Sequence, residues 1–230
     1  MEQTQEQVLK NLFRSLDKSA KETTTALAGA NIRHGFIGGY ATSLLGGLIL
    51  TRDIDIIVDA EPSDTRNLLL QAHPGFRLTQ SNKLVFVDGE ESIPIELLRG
   101  GSTRQLKLPD ANTVSLLSVT ASSRPGRIEN TPIPILAPAV LVLTKIKRWV
   151  FAAESTRPQS IRKAQRDVQD IEVILDWLAK NNLHIDLGSY PDKPKEDLLS
   201  GVRKLHQMHA NLRPLLETTL EAKDFALINN

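Results

Sequence analysis

Two acids alternate with isoleucine in Asp53-Ile54-Asp55-Ile56-Ile57-Val58, an otherwise apolar run with the composition of a buried strand. On a strand, residues i and i+2 project to the same face, so Asp53 and Asp55 point together. Two carboxylates about 4 Å apart repel by roughly 4 kcal/mol at an effective dielectric near 20. A fold that fixes such a pair calls for a cation between the two. Oxygen-only ligands suit Mg²⁺, with Mn²⁺ as the alternative. Upstream stands a second marked segment, Ile37-Gly38-Gly39-Tyr40-Ala41-Thr42-Ser43-Leu44-Leu45-Gly46-Gly47.

Composition narrows the chemistry. The 230 residues contain no cysteine, which excludes thiolate metal sites, disulfides and a cysteine nucleophile. A formal net charge of +1 gives no global field toward nucleic acid or membrane. The polar, acidic start does not read as a secretory signal, and no apolar run approaches the ~20 residues of a bilayer span. A cytoplasmic protein without membrane contact is expected.

Helical spacing of Val8, Leu12, Phe13 and Leu16 predicts an amphipathic helix over about 5–29, weakening into a Thr/Ala stretch. A strand is expected at Arg33–Ile37, then a short helix from Tyr40 to Leu45 closed by Gly46-Gly47. After the Asp53–Val58 strand, Ser63 is a candidate N-cap for the next helix. Lys83–Val87 and Ile93–Leu98 read as a strand pair around the acidic turn Asp88-Gly89-Glu90-Glu91, with another strand at Thr113–Val119. Pro125, Pro132, Pro134 and Pro138 disfavour helix or central strand, and a boundary is placed near 135. Beyond it, helices are expected at 139–153 and 158–180, with two shorter ones between about 195 and 222. The expected organisation is α+β: a small mixed sheet flanked by helices over 1–135, and a helical subdomain over 136–230.

A third acid extends the first pair. Glu96 is the lone charge on Ser92-Ile93-Pro94-Ile95-Glu96-Leu97-Leu98. If that strand lies beside Asp53–Val58, Glu96 joins the other two on one face. Three such carboxylates can hold two metals, one activating a hydroxyl and one gripping a phosphate chain. Gly38-Gly39 then offers backbone N–H groups at a helix start, where phosphate is stabilised and no Cβ intrudes. Thr42 and Ser43 are candidate hydroxyl donors there. No P-loop or Rossmann glycine pattern occurs.

Together, Ile37-Gly38-Gly39, Asp53-Ile54-Asp55 and Glu96 resemble the nucleotidyltransferase superfamily, the polymerase-β-like fold, over residues 33–98. Thr51-Arg52 is similar to the lead-in found before the acid pair in that family, while Glu96 stands where Asp is commoner. The resemblance implies Mg²⁺-dependent transfer of a nucleoside monophosphate from an NTP, ATP first, to an acceptor hydroxyl with release of pyrophosphate. Asp53, Asp55 and Glu96 would be both metal ligands and catalytic residues, with Glu96 as ligand or base. The acceptor expected is a small molecule or a protein. The alternatives are transfer to an RNA 3′ end, as in toxin-type relatives, and a catalytically silent nucleotide- or partner-binding fold.

In the helical half, Leu141–Lys147 and Arg162–Ile171 resemble small AbiEii-type and antibiotic-modifying branches. That likeness implies a triphosphate contact at Lys145, and at Lys147 second. Residues 145–166 carry seven Lys/Arg against Glu154 alone, an excess that suits nucleotide or RNA. At i and i+4 spacing, Arg162, Arg166 and Asp170 read equally well as a solvated salt-bridged face. His206 and His209 read as surface residues rather than a metal pair. His34 reads as structural, and Trp149 and Trp177 as core rather than base-stacking platforms.

Overall fold

A computed structural model describes residues 5–47, 51–101, 107–123, 127, 130–190 and 193–229. It divides into two compact units, residues 1–44 with 50–135, and residues 45–49 with 136–230.

The first unit begins with helix α1, Gln5–Gly29. Its Thr/Ala stretch stays helical because small side chains take over the inward stripe. Leu16, Ser19, Ala20, Thr23 and Leu27 are all fully buried, and Thr23 Oγ1 donates to the Ser19 carbonyl at 2.8 Å. The strands are β1 His34–Ile37, β2 Ile54–Val58, β3 Phe76–Leu78, β4 Leu84–Asp88, β5 Glu91–Arg99, β6 Leu116–Thr120 and β7 Pro132–Leu136. They form one mixed sheet in the order β3-β4-β5-β2-β1-β7-β6. Helix α2, Gly38–Leu44, follows β1 directly, and α3, Pro62–Ala72, follows β2. β2 therefore lies between β1, antiparallel to it, and β5, parallel to it. Ile54, Ile56 and Ile95 fill the buried face of this centre. The turn between β4 and β5 is made at Gly89, where φ is +63°.

Several boundaries differ from the sequence expectation. Helix α2 starts at Gly38 rather than Tyr40 and ends at Leu44, with φ of +121° at Gly46. Helix α3 starts at Pro62, with Glu61 at the cap position and no side-chain cap, so Ser63 lies inside the first turn. Proline suits that first helical position because its missing N–H has no intrahelical role there. The strand expected at 113–119 lies at Leu116–Thr120. The proline-rich stretch forms β7 inside the sheet, contrary to expectation. Pro132 and Pro134 occupy alternate positions, so Ile133 and Ile135 keep their N–H groups and bury their side chains.

The second unit is helical: α4 Pro138–Ala152, α5 Pro158–Lys180, α6 Lys195–Met208, α7 Arg213–Thr219 and α8 Ala222–Ile228. Three helices thus follow residue 194 where two were expected. α5 buries Ala164, Ile171, Ile174, Leu175 and Leu178, while Ile161 at its start stays exposed. Gly201 lets α6 approach α4: a Cβ there would lie 3.3 Å from both Ile146 and Val150. Among the described residues, no helix is long and apolar enough to cross a membrane.

Candidate active site

The β2–β5 register decides how the acids meet. Asp55 is paired with Glu96, so the two carboxylates leave the same face of adjacent parallel strands. Strand spacing puts their backbones about 4.8 Å apart. Asp55 is half-buried, whereas Asp53 and Glu96 are exposed. On the other side of β2, Ile37 is the register partner of Asp55, and the chain turns at Gly38 immediately afterwards.

That turn explains both glycines. Gly38 has φ of +70°, a conformation that a Cβ disfavours, and a Cβ built on it would lie 2.0 Å from Asp55 Oδ2. A Cβ on Gly39 would lie 2.9 Å from Thr51 Cβ and Oγ1. The absent side chains therefore make room for the acid and for Thr51. Thr51 in turn donates from Oγ1 to Asp53 Oδ1 at 2.6 Å. The glycine pair, the threonine and the two aspartates form one interlocked turn.

The other residues expected to assist phosphate binding are engaged within their own units. Thr42 Oγ1 donates to the Gly38 carbonyl at 3.0 Å. Ser43 Oγ donates to the Tyr40 carbonyl at 2.7 Å and accepts from Arg127 at 3.0 Å. Both are buried. Arg127 also donates through Nε to Asp17 Oδ2 at 2.9 Å, and Tyr40 donates to Asp17 Oδ1 at 3.0 Å. The guanidinium lies over the Phe13 and Tyr40 rings. This buried network ties α1 to α2 behind the glycine turn. Asp17 and Arg127 are 110 positions apart, and no local pattern announced them.

In the helical unit, Lys145 is 2% exposed, and its ammonium donates to Asp170 Oδ2. Burial pushes the Asp170 carboxyl up, and Lys145 acts against that shift. Arg148 holds Asp167 through Nε at 3.0 and 2.9 Å. The Arg-Asp-x-x-Asp run, residues 166–170, thus turns both aspartates inward, leaving Arg162 and Arg166 exposed. Lys147 is half-buried, with Nζ 5.5 Å from the centre of the Tyr190 ring. His206 is buried against Phe225, contrary to the surface expectation, and His209 packs edge-on against Trp149. Burial lowers the His209 pKa. His34 is buried at the start of β1, with Nδ1 3.0 Å from the Ile32 carbonyl and its pKa lowered by desolvation. Trp149 is core and Trp177 half-buried.

Carboxylate oxygens from two parallel strands in register are a donor set suited to a hard divalent cation. The expected three-acid site is nevertheless not closed: among the described residues, no three His, Asp or Glu side chains gather around a common point. Asp53 accepts from Thr51, and Asp55 lies against Gly38.

Beside the acids lies a cavity of about 560 Å³, lined by Asp53 and Glu96 together with Pro62, Ser63, Arg66, Lys83, Leu84, Pro94, Ile95 and Leu97. Arg66 and Lys83 carried no motif, and only the folded chain brings them to the acids. The Arg66 Nε is shielded from solvent and has no hydrogen-bond partner among the described residues.

No protein-family model matches the sequence, and no curated protein is significantly similar to it. Solved structures are similar. An antigenic nucleotidyltransferase-like protein from Paracoccidioides brasiliensis overlaps with a TM-score of 0.67 at 19% identity, covering 96% of this chain and 97% of its own. JHP933 from Helicobacter pylori overlaps at 0.44 with 15% identity, covering 93% and 88%. The antibiotic-resistance factor ANT(2'')-Ia overlaps at 0.40 with 12% identity, covering 84% and 98%. Matched along nearly its whole length by the Paracoccidioides protein, the chain shares the fold of that nucleotidyltransferase-like protein.

Proposed function

We propose that the protein is a nucleotidyltransferase that moves a nucleoside monophosphate from an NTP, ATP first, to an acceptor hydroxyl. The observation that carries this reading is the Asp55–Glu96 register pair, locked against a glycine turn whose first residue has φ of +70°. The pair sets a half-buried and an exposed carboxylate side by side on adjacent central strands, an oxygen donor set that suits a hard divalent cation.

Asp55 and Glu96, with Asp53, would hold Mg²⁺ or Mn²⁺, which when bound supplies charge neutralisation for the phosphates. The chain's own residues do the rest. Gly38 and Gly39 leave the turn open enough for Asp55 to reach its place, and their backbone N–H groups are the phosphate donors of the reading. Thr51 holds Asp53 in a fixed rotamer. The acceptor oxygen bonds to the α-phosphorus while the bond from that phosphorus to the α,β-bridging oxygen breaks. Pyrophosphate leaves with the electron pair, and Glu96 takes the hydroxyl proton. Catalysis of this kind comes from positioning and electrostatics rather than from a protein nucleophile.

A small acceptor suits the cavity, whose volume falls within the range of small-molecule sites, roughly 300–1,000 Å³. The basic α5 start, where Arg162, Lys163 and Arg166 are exposed, favours RNA as the second reading.

The test is calorimetry with ATP, GTP, CTP and UTP, with and without Mg²⁺, on the wild type and on Asp55→Ala. Metal-dependent binding of one NTP, reduced at least about a hundredfold in the variant, is expected. Absence of NTP binding by the wild type would leave a silent fold, and unchanged binding by Asp55→Ala would remove the acid pair from the site.

A further inference from the structure

The cavity beside the acids carries a charge pattern that nucleotidyl transfer alone does not require. Arg66, one turn into α3, and Lys83, just before β4, both line it. Neither forms an ion pair among the described residues, although Asp53 and Glu96 share the same cavity. The Arg66 Nε, closed off from solvent, donates to nothing among the described residues. A shielded guanidinium N–H without an acceptor is unfavourable until something supplies one. A planar guanidinium and an exposed ammonium in one cavity are a donor set that matches phosphate, while the apolar lining, Leu84, Pro94, Ile95 and Leu97, suits the body of a small molecule.

Sheet order says which reactant belongs there. β2 lies between β1, which leads into the glycine turn, and β5, which carries Glu96. Apart from Asp53, just before β2, and Lys83, just before β4, the cavity is lined from β5, β4 and α3, and Gly38, Gly39 and Asp55 are not among its lining residues. In-line displacement needs the attacking hydroxyl and the departing pyrophosphate on opposite sides of the phosphorus. With the NTP phosphates on the glycine side, the hydroxyl enters from the β5 side, where Glu96 stands.

We infer that the cavity is the acceptor subsite, and that the acceptor is a small hydroxyl compound bearing a phosphate, held by Arg66 and Lys83. This rests on the nucleotidyl-transfer reading above. The acceptor's own phosphate is bound and left unchanged, and its hydroxyl gives its proton to Glu96. An acceptor of this charge is the opposite of a polycation, which Arg66 and Lys83 would repel.

The experiment is an amide-shift titration of the full chain with inorganic phosphate, glucose 6-phosphate and glucose, repeated on Arg66→Gln and Lys83→Gln. ATP–Mg²⁺ calorimetry runs on the same proteins. Phosphate and glucose 6-phosphate are expected to shift the amides of Ser63, Arg66 and Lys83, and glucose is not. Arg66→Gln should weaken glucose 6-phosphate at least about tenfold while ATP affinity stays within about twofold. Equal binding of glucose and its phosphate, or no shift with either phosphate, overturns the subsite. Parallel loss of ATP and glucose 6-phosphate in Arg66→Gln assigns the cavity to the nucleotide and overturns it as well. Binding of a short RNA through Arg66, with no binding of the sugar phosphate, overturns the small-acceptor form. If the wild type binds phosphate at Arg66 but no NTP, the acceptor role falls with the transfer reading, and an anion site alone remains.

Discussion

The sheet unit and the helical unit each set aspartates two or three residues apart, and they treat them in opposite ways. Just before β2 and on β5, Asp53 and Glu96 stay exposed and no cation pairs with either among the described residues. On α5, Asp167 and Asp170 are buried and neutralised by Arg148 and Lys145 of α4. Acids left beside an open cavity are available to a ligand, and acids matched inside a helix pair hold that pair together. Spacing alone does not separate the two cases, because both patterns place carboxylates on one face.

The largest expected effect breaks the helical side. Asp170→Ala strands the Lys145 ammonium in a buried site and should cost about 3–5 kcal/mol of stability, read as a lowered urea midpoint. NTP binding at a temperature where the variant is folded should be unchanged. A loss of NTP affinity without destabilisation would make Lys145 part of the site after all.

Gly38→Ala attacks the sheet side. The new Cβ falls on the Asp55 carboxylate and the residue must hold a positive φ. A stability loss of about 1–2 kcal/mol is expected from the backbone alone, with NTP binding reduced to the level of Asp55→Ala. Full binding in this variant would show that the packing of Asp55 against the turn is dispensable.

Replacing both partners sharpens the contrast. Lys145→Met with Asp170→Leu should lie within about 1 kcal/mol of the wild type, or above it, because a buried ion pair is often no better than packed apolar groups. If the double variant is as unstable as Asp170→Ala, the pair specifies the packing of α4 on α5 rather than merely filling it.

The smallest effect is at the sheet unit's surface. Lys18 donates to Asp88 at 2.6 Å, with Ser15 adding a hydrogen bond at 3.2 Å, and these hold the Asp88 pKa below its ordinary value. A depressed carboxyl stabilises the fold fully above the unfolded pKa, about 3.9, and loses that contribution as pH falls through the lower folded value. Lys18→Met should therefore cost at most about 1 kcal/mol at pH 7, since Lys18 is half exposed. Wild type and variant should converge in acid, which a pair of urea titrations at pH 7 and pH 2.5 would check.

The strand pattern made the acids of the candidate site legible because its period is local. Asp53, Asp55 and Glu96 were legible as single charges on apolar runs, and α1, β2, β5 and α5 followed from their spacings. Helix α3 began one residue before its expected cap because proline at the first position replaced a side-chain cap. β7 was missed because a two-proline strand is excluded by composition but permitted when the surviving N–H groups alternate with the prolines. Arg66 and Lys83 were missed because neither sits in a pattern. One is a half-buried helical arginine and the other an exposed residue before a strand.

By itself the sequence determined which residues stand in the strands as lone acids, and that a glycine pair precedes them. Alternation and glycine need only a few neighbouring positions to be read. Tertiary structure alone decided which polar groups remain available. Ser43 is held by Arg127 and Lys145 by Asp170, at separations of 84 and 25 residues. Whether a charge is satisfied inside the protein or left facing a cavity depends on contacts of that kind, which leave no period in the chain.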